Sequence, residues 1–208
     1  MPTLVEKPPA PTAREASELA GLEPPPWIGF NRRFEPAVRE LRDAASAAKS
    51  VELSLLLRTR RSSWRPYEVD DEILLDLGTH LVDLALWLTG AEAARVEGRV
   101  ARLRASVRIE LADDRGRADI ECVGNRPYRE RFEVRVARTT VARYTRGGIR
   151  SFVRGTRTGN PLVQSLVNQL EAFARAARGS AEPDLATSAD GLRVMEILEV
   201  ARARDTSA

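Results

Sequence analysis

The sequence predicts an α+β fold: an open, largely antiparallel sheet with helices on one face, preceded by a small βαβ piece. Three observations carry this. Five strand-length stretches with alternating apolar and polar residues follow one another between residues 95 and 144. Segments with apolar residues at helical spacing lie on both sides of that block. A strand, a helix and a second strand fill the first thirty residues. Of the 208 residues, 43% are apolar, enough to build a packed core.

Taken in order, residues 3–6 (TLVE) read as a short strand that stops at Pro8. Thr12, with Glu15 three positions on, is a capping box for a helix that ends at Gly21. Pro24, Pro25 and Pro26 make a stiff connector to the strand WIGF. Pro36 opens a helix over residues 36–48, with Val38, Leu41 and Ala45 on one face. VELSLLLR (51–58) is a strand, and RTRRSSWRPYEVDD after it is a loop. Leu74, Leu77, Leu81, Leu84 and Leu88 set a helix over 71–88, stopped by Gly90. Strands follow at 95–103, 106–112, 117–124, 130–137 and 139–144, the second and third joined by the hairpin turn DDRG. Helices at 161–178 and 188–202 close the chain. No internal repeat occurs.

Composition excludes several classes. No run of about 18 apolar residues is present, so no transmembrane helix and no membrane partner is expected. No secretory leader is visible, and the cytoplasm is the expected compartment. One cysteine, Cys122, and one histidine, His80, exclude an internal disulfide and a metal site built from imidazoles or thiolates. Of the 33 basic residues only Lys7 and Lys49 are lysines. Residues 95–157 hold 17 Arg against eight Asp and Glu, a local balance of +9, so the remainder carries −6 of the total +3. Such a stretch is either a polyanion-binding surface or an Arg-decorated sheet face. No nucleic-acid motif accompanies it, so no nucleic-acid partner is expected.

Asp76 and His80 lie four apart on the predicted helix and share a face. A carboxylate beside an imidazole raises its basicity and fixes its tautomer, as a general base requires. Asp–His pairs at this spacing commonly only decorate a surface. Against that, this is the sole His, and Gly78 between the two costs about 1 kcal/mol relative to alanine mid-helix, which points to close packing there. Lys7 stands at the exit of the first strand, where α/β sheets bind ligands.

Whole segments resemble one family. VEKPPAPTAREASELA is similar to the VEKPLALTxxEAxEL segment of the Gfo/Idh/MocA oxidoreductases, relatives of glucose–fructose oxidoreductase and inositol dehydrogenase. IGFNRRFEPAVRELRD resembles their GFNRRFxPAxxxLR strand and helix, and ILLDLGTHLVDLALWLTG their LLDxGxHxxDxxxWLxG helix. NPLVQSLVNQLEAFARAARG and PDLATSADGLRVMEILEVARA resemble their closing helices. The resemblance implies that Lys7 contacts the substrate hydroxyl and the nicotinamide ribose of NAD or NADP. It implies that Asp76 supports substrate and base, that His80 is the general base, and that Asn31 and Arg32 lie near the substrate mouth. Asp83 matches a second acidic position with a structural role. Substrates implied are sugars, polyols and nucleotide sugars, and the Arg-rich stretch favours a phosphorylated or carboxylated one.

Two departures stand out. The sequence has no G-x-G-x-x-G turn to hold a pyrophosphate, so the isolated chain is expected to bind no nicotinamide cofactor. The helix of Asp76 begins Val69-Asp70-Asp71-Glu72, where the family has glycines. Residues 1–31 then read as the last βαβ of a dinucleotide-binding domain, and 32–208 as the substrate and oligomerisation domain. Three readings follow. One is the substrate side of a split or start-truncated dehydrogenase, completed by a nucleotide-binding subunit. Another is a non-redox sugar-binding, isomerase, lyase or regulatory protein. The third is an inactive relic. A homodimer through the uncovered sheet face is expected.

Overall fold

The computed structural model describes residues 1–60, 72–147 and 161–203. At the N-terminus β1 (Leu4–Val5), α1 (Ala13–Ala20) and β2 (Trp27–Ile28) form a strand–helix–strand unit with the strands parallel. Thr12 caps α1 as its sequence demands, its Oγ1 accepting from the Glu15 backbone N–H at 3.2 Å. A 3-10 turn (Asn31–Phe34) leads into α2 (Pro36–Ser46), with Pro36 in the first turn.

β3 (Val51–Arg58), the most apolar strand, takes the centre of a six-stranded sheet. After α3 (Thr79–Thr89) come β4 (Ala93–Ala101), β5 (Arg104–Leu111), β6 (Gly116–Val123), β7 (Arg129–Val136) and β8 (Thr139–Gly147). The order is β4-β5-β6-β3-β7-β8. Only the β3–β6 pair is parallel, with Leu55 opposite Ile120; every other neighbour in this sheet is antiparallel. The DDRG turn joins β5 to β6. Asp113 and Asp114 both have positive φ (55° and 54°) and Arg115 N–H bonds Ala112 O, the two-residue hairpin whose twist matches the flanking strands.

Two helices follow, α4 (Pro161–Ala176) and α5 (Ser188–Ala203), preceded by the short β9 (Ala186–Thr187). β9 pairs antiparallel with β2 and was not legible as a strand in two residues. Helices α2, α3 and α5 cover the inner sheet face, whereas α4 lies against the 31–34 turn. Gly98 of β4 permits a close helix–sheet approach: a Cβ there would sit 2.0 Å from Ala201 O of α5. Leu53, Leu55, Val107, Ile109, Ile120, Phe132 and Val134 face inward and join α2, α3 and α5 in one core that also takes in Ile28 and Phe30.

The outer sheet face carries arginines, and they meet carboxylates across the strands. Arg104 pairs with Glu121 at 2.9 Å, Arg108 with Asp119 at 2.7 Å, Arg117 with Glu52 at 3.1 Å and Arg143 with Glu133 at 2.8 Å. Cross-strand pairing of this kind is what the decorated-sheet reading expects of these four arginines. Among the described residues no helix is long and apolar enough to cross a membrane.

Candidate functional site

The helix predicted from 71 does not begin as a regular α-helix. Within the described residues, Leu74–Gly78 form a single π turn that runs directly into α3. Such turns shift the bonding to i→i+5 and re-aim backbone carbonyls. Thr79 Oγ1 donates to Leu75 O at 3.1 Å, and Lys7 Nζ donates to Asp76 O at 2.9 Å. The same ammonium bonds Asp76 Oδ1 at 2.9 Å, across 69 residues of sequence. Lys7 is therefore tied to the Asp76 turn twice, from the exit of β1. Gly78 is close-packed, as its cost suggested: a Cβ would lie 3.3 Å from Leu198 Cδ2 of α5.

His80 follows in the first turn of α3 and is 8% exposed, with no hydrogen-bond partner for Nδ1. Burial pushes its pKa well below the ordinary imidazole value, and the Lys7 ammonium and Arg32 guanidinium push it further. This reverses the expectation drawn from spacing. Asp76 pairs with Lys7, and the charges acting on the imidazole are cations. The widened turn changes the angular offset between positions four apart, and a full ammonium is the stronger partner for the carboxylate. The result is an imidazole held neutral at pH 7, the state that accepts a proton.

The 31–34 turn places the other expected residues. Asn31 is buried, its Nδ2 3.4 Å from Ser165 Oγ of α4. Arg32 pairs with Glu130 at 2.5 Å, the two side chains 10% and 0% exposed. Its charge still reaches His80. Arg33 holds Asp83 through Nε at 3.1 and 3.0 Å, so Asp83 is a structural anchor for the turn. Glu130 was missed in the sequence. The signal was there: it shares its alternation with Phe132 and Val134, which puts a carboxylate on the core face of β7 and demands a buried cation. Tyr144 Oη also donates to Glu130, at 3.2 Å.

Residues 50–157 match the sequence profile of the GFO/IDH/MocA C-terminal domain. The chain belongs to the GFO/IDH/MocA family. It is 28% identical to inositol 2-dehydrogenase 2 of Saccharopolyspora erythraea over 121 residues, 55% of this chain and 35% of that protein. It is 34% identical to UDP-N-acetylglucosamine 3-dehydrogenase of Acidithiobacillus ferrooxidans over 97 residues, 45% of this chain and 30% of that protein. The matched stretch is thus about a third of those relatives' length. Its fold resembles scyllo-inositol dehydrogenase of Lactobacillus casei, solved with bound NAD(H) and scyllo-inositol, with a TM-score of 0.76 and 14% identity over 98% of this chain and 70% of that one.

Against the GFO/IDH/MocA family's glycine cluster, this member's acidic run matters less than its sequence suggests at Glu72, which pairs with Arg202 of α5 at 2.7 Å. Val69, Asp70 and Asp71 lie outside the described residues. Among the described residues no group of three or more His, Cys, Asp or Glu could hold a metal. The fit to NAD or NADP is confined to one end. A neutral imidazole with an orphaned nitrogen, beside a fixed ammonium, suits a hydroxyl that loses a proton and a hydride. The sequence offers no glycine-rich turn for the pyrophosphate.

Proposed function

We propose that the chain is the substrate side of an NAD(P)-dependent oxidoreductase acting on a hydroxyl of a sugar, polyol or related compound. The nucleotide-binding part comes from a partner chain or from upstream sequence. Residues 1–31 are the last βαβ of that nucleotide domain, and 32–208 the substrate and oligomerisation domain. The observation that carries this reading is the convergence of Lys7, Asp76 and the sole His80 from two distant parts of the chain.

The chemistry follows from the groups. Oxidising a secondary alcohol removes a hydride from carbon and a proton from oxygen, leaving a carbonyl. The nicotinamide, when bound, accepts the hydride. His80 is neutral and takes the proton. Lys7 steadies the negative charge that develops on the oxygen. Asp76 holds Lys7 in place through its carboxylate and its backbone carbonyl. Asn31 and Arg32 are the substrate-side residues in this reading, Arg32 being the one whose charge reaches His80.

The chain is a homodimer in this reading, paired through the sheet face that no helix covers; a monomer mass by sedimentation at micromolar concentration would count against it. The catalytic reading is tested by supplying a nucleotide-binding domain in trans and following reduced nicotinamide with myo-inositol and with UDP-N-acetylglucosamine. Turnover is expected, and His80→Ala should lower it by about 10²-fold or more. A reconstituted wild type that oxidises no sugar or polyol overturns the redox reading.

A further inference from the structure

Two neighbouring carbonyls of the π turn at Leu74–Gly78 are filled by side chains. Thr79 Oγ1 donates to Leu75 O at 3.1 Å and lies 3.4 Å from Asp76 O, whereas Lys7 Nζ donates to Asp76 O at 2.9 Å. A hydroxyl carries one proton, so Thr79 serves Leu75 and leaves the Asp76 carbonyl to the ammonium. Thr79 has no exposure, so bulk water does not reach its hydroxyl. Back-bonding of this kind does not by itself widen a helix. At the other end of α3, Thr89 Oγ1 donates to Ala85 O at 2.8 Å and lies 3.3 Å from Leu86 O, and the helix there is a regular α-helix. Two things set Thr79 apart. An ammonium from the exit of β1 takes the carbonyl next to the one it serves, and His80 is the following residue.

We propose that Thr79 is a positioning residue: its hydroxyl fixes the π turn in the register that presents the Asp76 carbonyl to Lys7, and so sets where the ammonium stands. A carbonyl in a packed turn needs a donor. Without the hydroxyl, Leu75 O must take a main-chain amide, and tightening from i→i+5 to i→i+4 bonding supplies one. That change turns Asp76 about the helix axis relative to α3. It carries off Lys7 both oxygens that now hold the ammonium at 2.9 Å, the carbonyl and Oδ1. Gly78 leaves room for the wide turn, since a Cβ there would meet Leu74 Cδ1 at 2.7 Å and Leu198 Cδ2 at 3.3 Å. This placement of Lys7 is independent of the redox reading; its effect on turnover rests on it.

The test uses the full chain with its lysine side-chain nitrogens isotopically labelled and followed by nuclear magnetic resonance. Lys7 and Lys49 are the only lysines. Lys49 is exposed and its ammonium protons exchange with water, whereas Lys7, held by two oxygens of Asp76, should give an ammonium signal of its own. Thr79→Val keeps the side-chain shape without the hydroxyl and should abolish that signal. Thr79→Ser should restore it, and Thr89→Val should leave it in place. With a nucleotide-binding domain in trans and whichever of myo-inositol and UDP-N-acetylglucosamine the wild type oxidises, Thr79→Val should lower kcat about tenfold with KM within about twofold. Lys7 acts on charge that develops only in the transition state, so its misplacement is read in kcat. A wild type without the Lys7 signal, a signal that Thr79→Val leaves intact, or one that Thr79→Ser fails to restore overturns the positioning role. Loss of the signal in Thr89→Val as well also overturns it, because any loosening of α3 would then suffice. A lost signal with unchanged kcat overturns the effect on turnover alone. A reconstituted wild type without turnover removes the redox reading, and the ammonium signal still decides the placement.

Discussion

Glu130 has a side chain with no exposure and sits 2.5 Å from Arg32, itself 10% exposed. Removing one member of such a pair strands a charge in the core. Glu130→Gln should therefore cost about 3–5 kcal/mol. Arg32→Met should cost less, about 1–3 kcal/mol, because Glu130 keeps the Tyr144 hydroxyl at 3.2 Å and Arg146 at 3.9 Å. The double variant Arg32→Met/Glu130→Gln leaves neither charge and should fall short of the sum by about 2–3 kcal/mol. Urea unfolding of the four proteins reads this directly, provided the slope with denaturant stays constant across them. Additivity to within about 0.5 kcal/mol would show that the two side chains do not depend on each other, and would refute the buried-pair account.

Other consequences are simpler to state. Gly98→Ala drives a Cβ to 2.0 Å from Ala201 O, a backbone atom that cannot swing aside, so the β4–α5 contact should open and cost about 1–3 kcal/mol or more by thermal unfolding. Because the folded-state pKa of His80 is depressed, the unfolded chain takes up the proton first as pH falls. Stability should be highest above about pH 6.5 and fall by up to about 1.4 kcal/mol per unit below it, until the folded-state value is reached. His80→Gln should remove that part of the slope between pH 6.5 and 5, measured by urea midpoint; an unchanged slope would mean the imidazole is not buried neutral.

Much of the sheet was legible because its strands alternate strictly. The β3 boundaries, 51–58, coincide with those observed, and the hairpin at Asp113–Asp114 followed from turn chemistry. What escaped was non-local. Two residues of β9 carry no period, and their strand character comes only from pairing with β2. The π turn at Leu74–Gly78 has leucines at spacings that suit an α-helix equally well, so the loss of the Asp76–His80 partnership could not be read from an i,i+4 count. Spacing could not bring Lys7 to Asp76; the motif resemblance grouped them, and the fold places them 2.9 Å apart. The buried Arg32–Glu130 pair needed the register of β7 as well as its alternation.

The most direct measurement uses the fact that the chain has one histidine. Imidazole carbon-bound proton shifts, followed by nuclear magnetic resonance across pH, report His80 alone. The account predicts a pKa below the ordinary value of about 6.5, and a rise when Lys7→Met removes the ammonium that, with burial and Arg32, depresses it. A wild-type imidazole that titrates at or above the ordinary value, or one that Lys7→Met leaves unmoved, would contradict the claim that Lys7 and His80 share one pocket.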